Sequence, residues 1–205
     1  MTEPTEQAEQ AEQADLGNSL SEVSARQAEV RARTLAWIER FIVGLGLCPF
    51  ARAPLEAGRV GIDVSLCTEA AELLTVLDER IDRLLTRPTR ELETSLLVHP
   101  HCLLDFHDYN DFLGDVDALL DARSLDGILQ VASFHPDYRF AGAPADDPAN
   151  FSNRSPYPML HLLRERSVDA AVDTHPDIEG IPERNIALLR GMPPTELEAL
   201  VDGSE

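Results

Sequence analysis

Three histidines stand directly before prolines: His99-Pro100, His135-Pro136 and His175-Pro176. A residue before proline is pushed toward extended backbone. Two of the three close apolar runs, SLLVHP and ASFHP, that read as strands. Strands running the same way bring His99 and His135 out at one sheet edge, the edge where open α/β sheets hold ligands. His101 adds an H-x-H spacing, which places two imidazoles on one side of an extended segment. One chemistry for this set is a divalent metal, zinc or iron, held by His99, His101, His135 and Asp137, with an open position that activates water for hydrolysis. The other is structural: the histidines cap strand ends and hydrogen-bond the loop beside them. No HExxH helix is present.

A second set falls within Phe134–Arg164, a stretch rich in proline and aromatic residues. It contains Tyr138, Arg139, Asn150, Asn153, Arg154, His161 and Arg164. Ser155-Pro156 reads as the N-cap and first residue of a helix. Arg154 then lies at a helix N-terminus, where free N–H groups and the helix dipole attract anions. His161 and Arg164, three apart, share a face of that helix. The chemistry is an anion pocket for a phosphate or carboxylate, with His135 or His161 as the acid–base group. The competing account is a salt-bridge network that pins the loop to Asp146, Asp147 and Glu165. Cys48 is a third catalytic candidate. A cysteine nucleophile needs a base and a lowered pKa, and free cysteine also serves as a small buried hydrophobe.

The totals bound these choices. The formal charge of −20 speaks against nucleic acid or an anionic membrane as partner, since both call for a basic footprint. All 17 basic residues are arginine, which removes lysine Schiff bases and Walker-type lysines. There is no glycine-rich phosphate loop, GxSxG or CxxC. The three cysteines, Cys48, Cys67 and Cys102, do not form a disulfide framework, and MTEPTEQAEQ lacks the charged and apolar regions of a secretory signal. A cytoplasmic protein without a membrane span is expected.

The elements that must position these residues follow from periodicity. Residues 1–23 form an acidic tail with an E-Q-A repeat, too poor in large apolar side chains to order itself. A helix runs from about Ser24 to Gly44, with Val30, Leu35, Ile38, Phe41 and Ile42 inward. It ends near Gly44 or Gly46, because glycine accepts a left-handed cap. Residues 58–67 alternate as a half-buried strand, and Thr68 is a plausible cap for a helix to Thr86. Thr94–His99 is a second strand, and a helix from about Asp105 to Arg123 follows. Ile128–Phe134 is a third strand. The loop Asp137–Ser155, the helix bearing Met159 to Arg164 and a helix from Pro182 to Gly191 complete a domain over 24–192. Residues 193–205 form an acidic tail with at most a short turn. The order is an α/β (or α+β) layer: one domain with a small sheet of three strands or slightly more, covered by helices.

Three motifs resemble a known family: GLGLCPFA at Gly44–Ala51, SFHPDYRFAG at Ser133–Gly142, and NFSNRSPYPMLHLLRE at Asn150–Glu165. They are similar to a bacterial family of unknown function numbered DUF1415, across about residues 28–192. The resemblance implies one compact cytoplasmic domain and brings no activity, substrate or cofactor with it. Two functions therefore stand. One is a small enzyme that binds an anionic small molecule or carboxylate. The other is a non-catalytic module whose loop 134–158 docks a protein partner or a second copy.

Overall fold

The computed structural model describes residues 3–174 and 176–203, with side chains from Leu20 onward. His175, and most of the acidic tail expected over 1–23, lie outside the described side chains. Helix α1, Glu3–Trp37, continues into a π-helical turn, Ile38–Val43. Gly46 at φ 68° makes the expected left-handed turn, whereas Gly44 stays right-handed. The short helix α2, Arg52–Glu56, leads to strand β1, Val60–Val64. Then come α3 (Ala70–Thr86), β2 (Thr94–Val98), α4 (Phe106–Ala122) and β3 (Leu129–Phe134). A 3₁₀ turn, Pro148–Asn153, precedes β4 (Met159–Arg164), and helices α5 (Glu165–Thr174), α6 (Ile181–Arg190) and α7 (Pro194–Asp202) close the chain.

The mixed α/β class holds, with a four-stranded open sheet in the order β1-β2-β4-β3. β1 and β2 are parallel, joined by α3 as the crossover. β4 runs antiparallel to both neighbours, so β3 points the same way as β2 without touching it.

The fourth strand overturns one expectation. MLHLLR was to be helical, capped by Ser155. It is instead the strand between β2 and β3, and its alternation of deep and partial burial is that of a sheet. Leu and Met are good helix formers, but propensity is worth only tenths of a kcal/mol per residue and pairing on both sides overrides it. Ser155 turns its hydroxyl to the Tyr157 carbonyl at 2.7 Å rather than to a helix N–H.

Each face of the sheet has its own core. On one face, Leu73, Leu77, Ile81 and Leu84 of α3 and Tyr109, Phe112 and Val116 of α4 pack on Leu97, Leu129, Leu160 and Leu162. The four α3 residues are fully buried at i, i+4 and i+3 spacings, and each contributes about 1.5–3 kcal/mol. On the other face, Trp37, Phe41 and Ile42 meet Ile62, Leu96, Val98 and Met159, with Leu189 of α6 and Leu197 and Val201 of α7. The C-terminal segment thus forms more than the short turn expected of it. Asp105 caps α4, accepting from the N–H groups of His107 (2.8 Å) and Asp108 (3.2 Å).

Candidate functional site

β2 and β3 both end in His-Pro at the same edge of the sheet, with the start of β4 between them. Odd-numbered residues of both strands face α4, so His99 and His135 are on one face. Both rings rest on Tyr109: His99 stacked at 5.9 Å, His135 tilted at 5.1 Å. Phe106 covers His135 at 5.4 Å and meets Tyr138 at 5.3 Å. Tyr109 closes the cluster from inside. Its hydroxyl donates to the Met159 carbonyl at 2.8 Å and accepts from the Phe134 N–H at 3.1 Å.

The protonation states follow from the partners. His99 Nδ1 meets the Cys102 carbonyl at 2.9 Å, so Nδ1 carries the hydrogen. Its Nε2 lone pair is buried with no partner among the described residues. His135 is the opposite tautomer: Nε2–H donates to the Leu103 carbonyl at 3.2 Å, and Nδ1 accepts from the Asp137 N–H at 3.0 Å. Leu103 itself sits at φ 54°, a left-handed conformation that costs a leucine about 1–2 kcal/mol. Burial favours the neutral form of both imidazoles; it lowers the pKa of His99 to about 4 and that of His135 in the same direction.

The expected metal set does not assemble. His101 is exposed, and both His135 nitrogens are already bonded. Asp137 contributes its backbone N–H, and its carboxylate end is exposed. Among the described residues no group of three or more His, Cys, Asp or Glu side chains can hold a metal ion.

The anion set is also divided. His161 lies on β4 facing away from His135. Thr94 donates its hydroxyl to the Leu162 carbonyl at 2.6 Å, so His161 Nε2–H donates to Thr94 Oγ1 at 2.6 Å. Burial lowers its pKa to about 4. Arg154 and Arg164 flank the two ends of β4 and cannot hold one ligand together. Arg154 has no helix N-terminus beside it, because the helix is a strand. It spans the loop, donating to the carbonyls of Tyr138 (3.4 Å) and Ala145 (2.8 Å), with its guanidinium 4.5 Å from the Phe151 ring. Arg164 is 6% exposed and donates Nη2 to the carbonyls of Leu84, Arg87 and Leu92, where it caps α3.

The remaining loop residues bond the backbone as well. Asn150 accepts from the Phe140 N–H at 3.0 Å and donates to the Pro144 carbonyl at 2.8 Å. Asn153 donates to the Ser133 carbonyl at 3.0 Å. Asp147 pairs with Arg190 at 2.7 Å, tying the loop to α6, and this pairing holds its carboxyl down at about 2. Arg139 and Phe140 are exposed and Tyr138 is half-buried. Cys48 is half-buried on the other core, and burial raises its thiol pKa, the opposite of an activated nucleophile.

Sequence reasoning missed Tyr109, whose hydroxyl is invisible to periodicity, and the free edge of β3. His99 N–H donates to the Pro158 carbonyl, so even-numbered β4 residues bond β2 and odd-numbered ones bond β3. By register, Gln130, Ala132 and Phe134 then point their backbone groups at β4, and Val131 and Ser133 point theirs outward. Asn153 takes the Ser133 carbonyl and the His135 N–H. Both polar groups of Val131 and the Ser133 N–H have no partner among the described residues. A signal was present: ILQVASF contains no charge, proline or glycine.

No helix among the described residues is long and apolar enough to cross a membrane. Neither the curated proteins nor the solved structures provide a match. A family model described as "Protein of unknown function (DUF1415)" matches residues 29–199, which include all four strands, and the chain belongs to that family.

Proposed function

We propose that this is a cytoplasmic bacterial interaction module that receives an extended, basic segment of a partner protein along β3, beside the loop at residues 137–147. The observation that carries it is the open β3 edge. Edge strands are normally blunted by charge, proline or a bulge, and β3 has none of these. Strand addition draws affinity from such unpaired N–H and C=O groups and specificity from neighbouring side chains. Here Phe140, Tyr138 and Ile128 are exposed or partly exposed near the two ends of the strand. Charge selects the partner. α4, which leads into β3, exposes Asp108, Asp111, Asp115, Asp117 and Asp121, and the chain carries −20. A basic peptide is attracted, whereas a second copy is repelled. The free cysteines fit a reducing compartment.

The loop's polar residues support this reading over hydrolysis. His135, Asn150, Asn153 and Arg154 use their hydrogen bonds to shape the loop. The test is site-specific photocrosslinking from Gln130 in cells, with and without Val131→Pro. Proline on the outward-facing position removes one free N–H and leaves the β4 ladder intact. A discrete crosslinked partner that disappears in the proline variant supports the module. Identical crosslinks in both, with the variant folded, contradict it.

A further inference from the structure

At the opposite end of the sheet from the histidines, a cleft of about 340 Å³ is lined by Leu85, Gly127, Ile128, Arg164 and Arg166. Two of its five lining residues are arginines and none is acidic. In a chain with 37 acidic residues against 17 basic ones, such a lining is unusual. Among the described residues neither arginine is ion-paired to a carboxylate. Arg164 engages three carbonyls through Nη2 alone; its Nε is buried without a partner and its Nη1 bonds nothing among the described residues. Arg166 donates to the Thr89 hydroxyl at 2.5 Å and has no other hydrogen-bond partner among the described residues. Glu93, the acid that Arg164 senses, is already paired with Arg59 at 3.1 Å. Burial and the neighbouring Arg166 both disfavour charge on Arg164, so two guanidiniums stand together against their mutual repulsion.

The surroundings add donors and walls. The Gly127 N–H has no partner among the described residues, and its φ of 73° belongs to the tight turn before β3. α5 begins at Glu165, whose N–H is taken by the Ile128 carbonyl at 3.0 Å, so the donors facing the cleft are the Gly127 N–H and the two guanidiniums. Leu85 and Ile128 provide apolar sides.

We infer that this cleft binds a small organic oxyanion, a phosphate monoester or carboxylate on a compact apolar body, with Arg164 and Arg166 on the anionic group and Leu85 and Ile128 against the body. Shared donation to one oxyanion offsets the repulsion between the two guanidiniums and satisfies Arg164, the bidentate chemistry to which arginine is suited.

The test titrates phenyl phosphate, benzoate and phenol into labelled protein and follows the amides of Gly127 and Ile128 and the Arg164 Nε–H. Arg166→Gln is the main variant. Arg166 is exposed and bonds one hydroxyl, so the variant folds. Arg52→Gln, on a remote exposed arginine, is the control. The expected result is saturable shifts with phenyl phosphate or benzoate, weakened about tenfold by Arg166→Gln and unchanged by Arg52→Gln. Absence of saturable shifts, an equal response to phenol, or unaltered binding in Arg166→Gln overturns the site. Inorganic phosphate binding as tightly as phenyl phosphate overturns the role of the apolar walls.

Discussion

Asn153 pairs with His135 as a neighbouring strand would: its carbonyl accepts the His135 N–H at 3.2 Å, while its side-chain amide donates to the Ser133 carbonyl at 3.0 Å. The 3₁₀ turn therefore closes the last step of the β3 edge and leaves the middle open. Asn153→Asp replaces the donor with a carboxylate facing a carbonyl. It is expected to cost about 1–3 kcal/mol in urea unfolding, and Asn153→Ala about 1 kcal/mol. A neutral effect of both would mean that the turn does not hold the edge.

Tyr109→Phe removes the hydroxyl that joins the Met159 carbonyl to the Phe134 N–H at the end of the β3–β4 ladder. The ring, and so the packing of His99 and His135, stays. The expected loss is about 1–3 kcal/mol, the cost of orphaned buried polar groups, with faster amide exchange at Phe134. Unchanged exchange there would contradict the assigned role.

Stability should fall with acid in two separate windows. His99 and His161 titrate at about 4 in the folded chain, below their ordinary 6.5, so the unfolded chain binds more protons between those values. Their neutral forms favour folding fully above 6.5, and that advantage is lost as pH drops toward 4. Asp147, held at about 2 by Arg190, acts later, between 3.8 and 2. Unfolding midpoints measured against pH should show both slopes. His161→Gln should flatten the upper one and Arg190→Gln the lower. A flat midpoint from pH 7 to 4 would contradict the buried neutral histidines.

The two arginines that were expected to share a ligand should differ in stability. Arg164→Leu leaves the carbonyls of Leu84 and Arg87 at the end of α3, and of Leu92 just before β2, without this donor and is expected to cost about 2–4 kcal/mol. Arg154→Leu loosens a surface loop and should cost about 1 kcal/mol. Protease nicking within 137–147 should rise in the Arg154 variant only. Equal losses in both would argue against their separate placements.

Much of this architecture was legible in the residues. Val60, Ile62 and Val64 alternate, the leucines of α3 repeat at helical spacing, and Pro136 ends β3 where extended backbone meets proline. His99 and His135 were expected at one edge, and they are there, although β4 runs between their strands. The failure was MLHLLR. It has no β-branched residue, and a short apolar run bounded by Pro158 and charged residues reads equally as helix or strand. That single exchange removed the helix N-terminus from Arg154 and placed His161 and Arg164 on opposite faces of β4. Hydrogen-bond partners were beyond reach for another reason. Backbone carbonyls, which take up His99, His135, Arg154 and Arg164, carry no sequence signature.

Amide hydrogen exchange along β3 tests the open edge most directly. In the isolated protein, Val131 and Ser133 should exchange rapidly while Ala132 is protected by β4 and Phe134 by the Tyr109 hydroxyl, and a bound basic strand should slow Val131 and Ser133 selectively. Protection of Val131 in the isolated protein, equal to that of Ala132, would contradict an edge free to receive a partner.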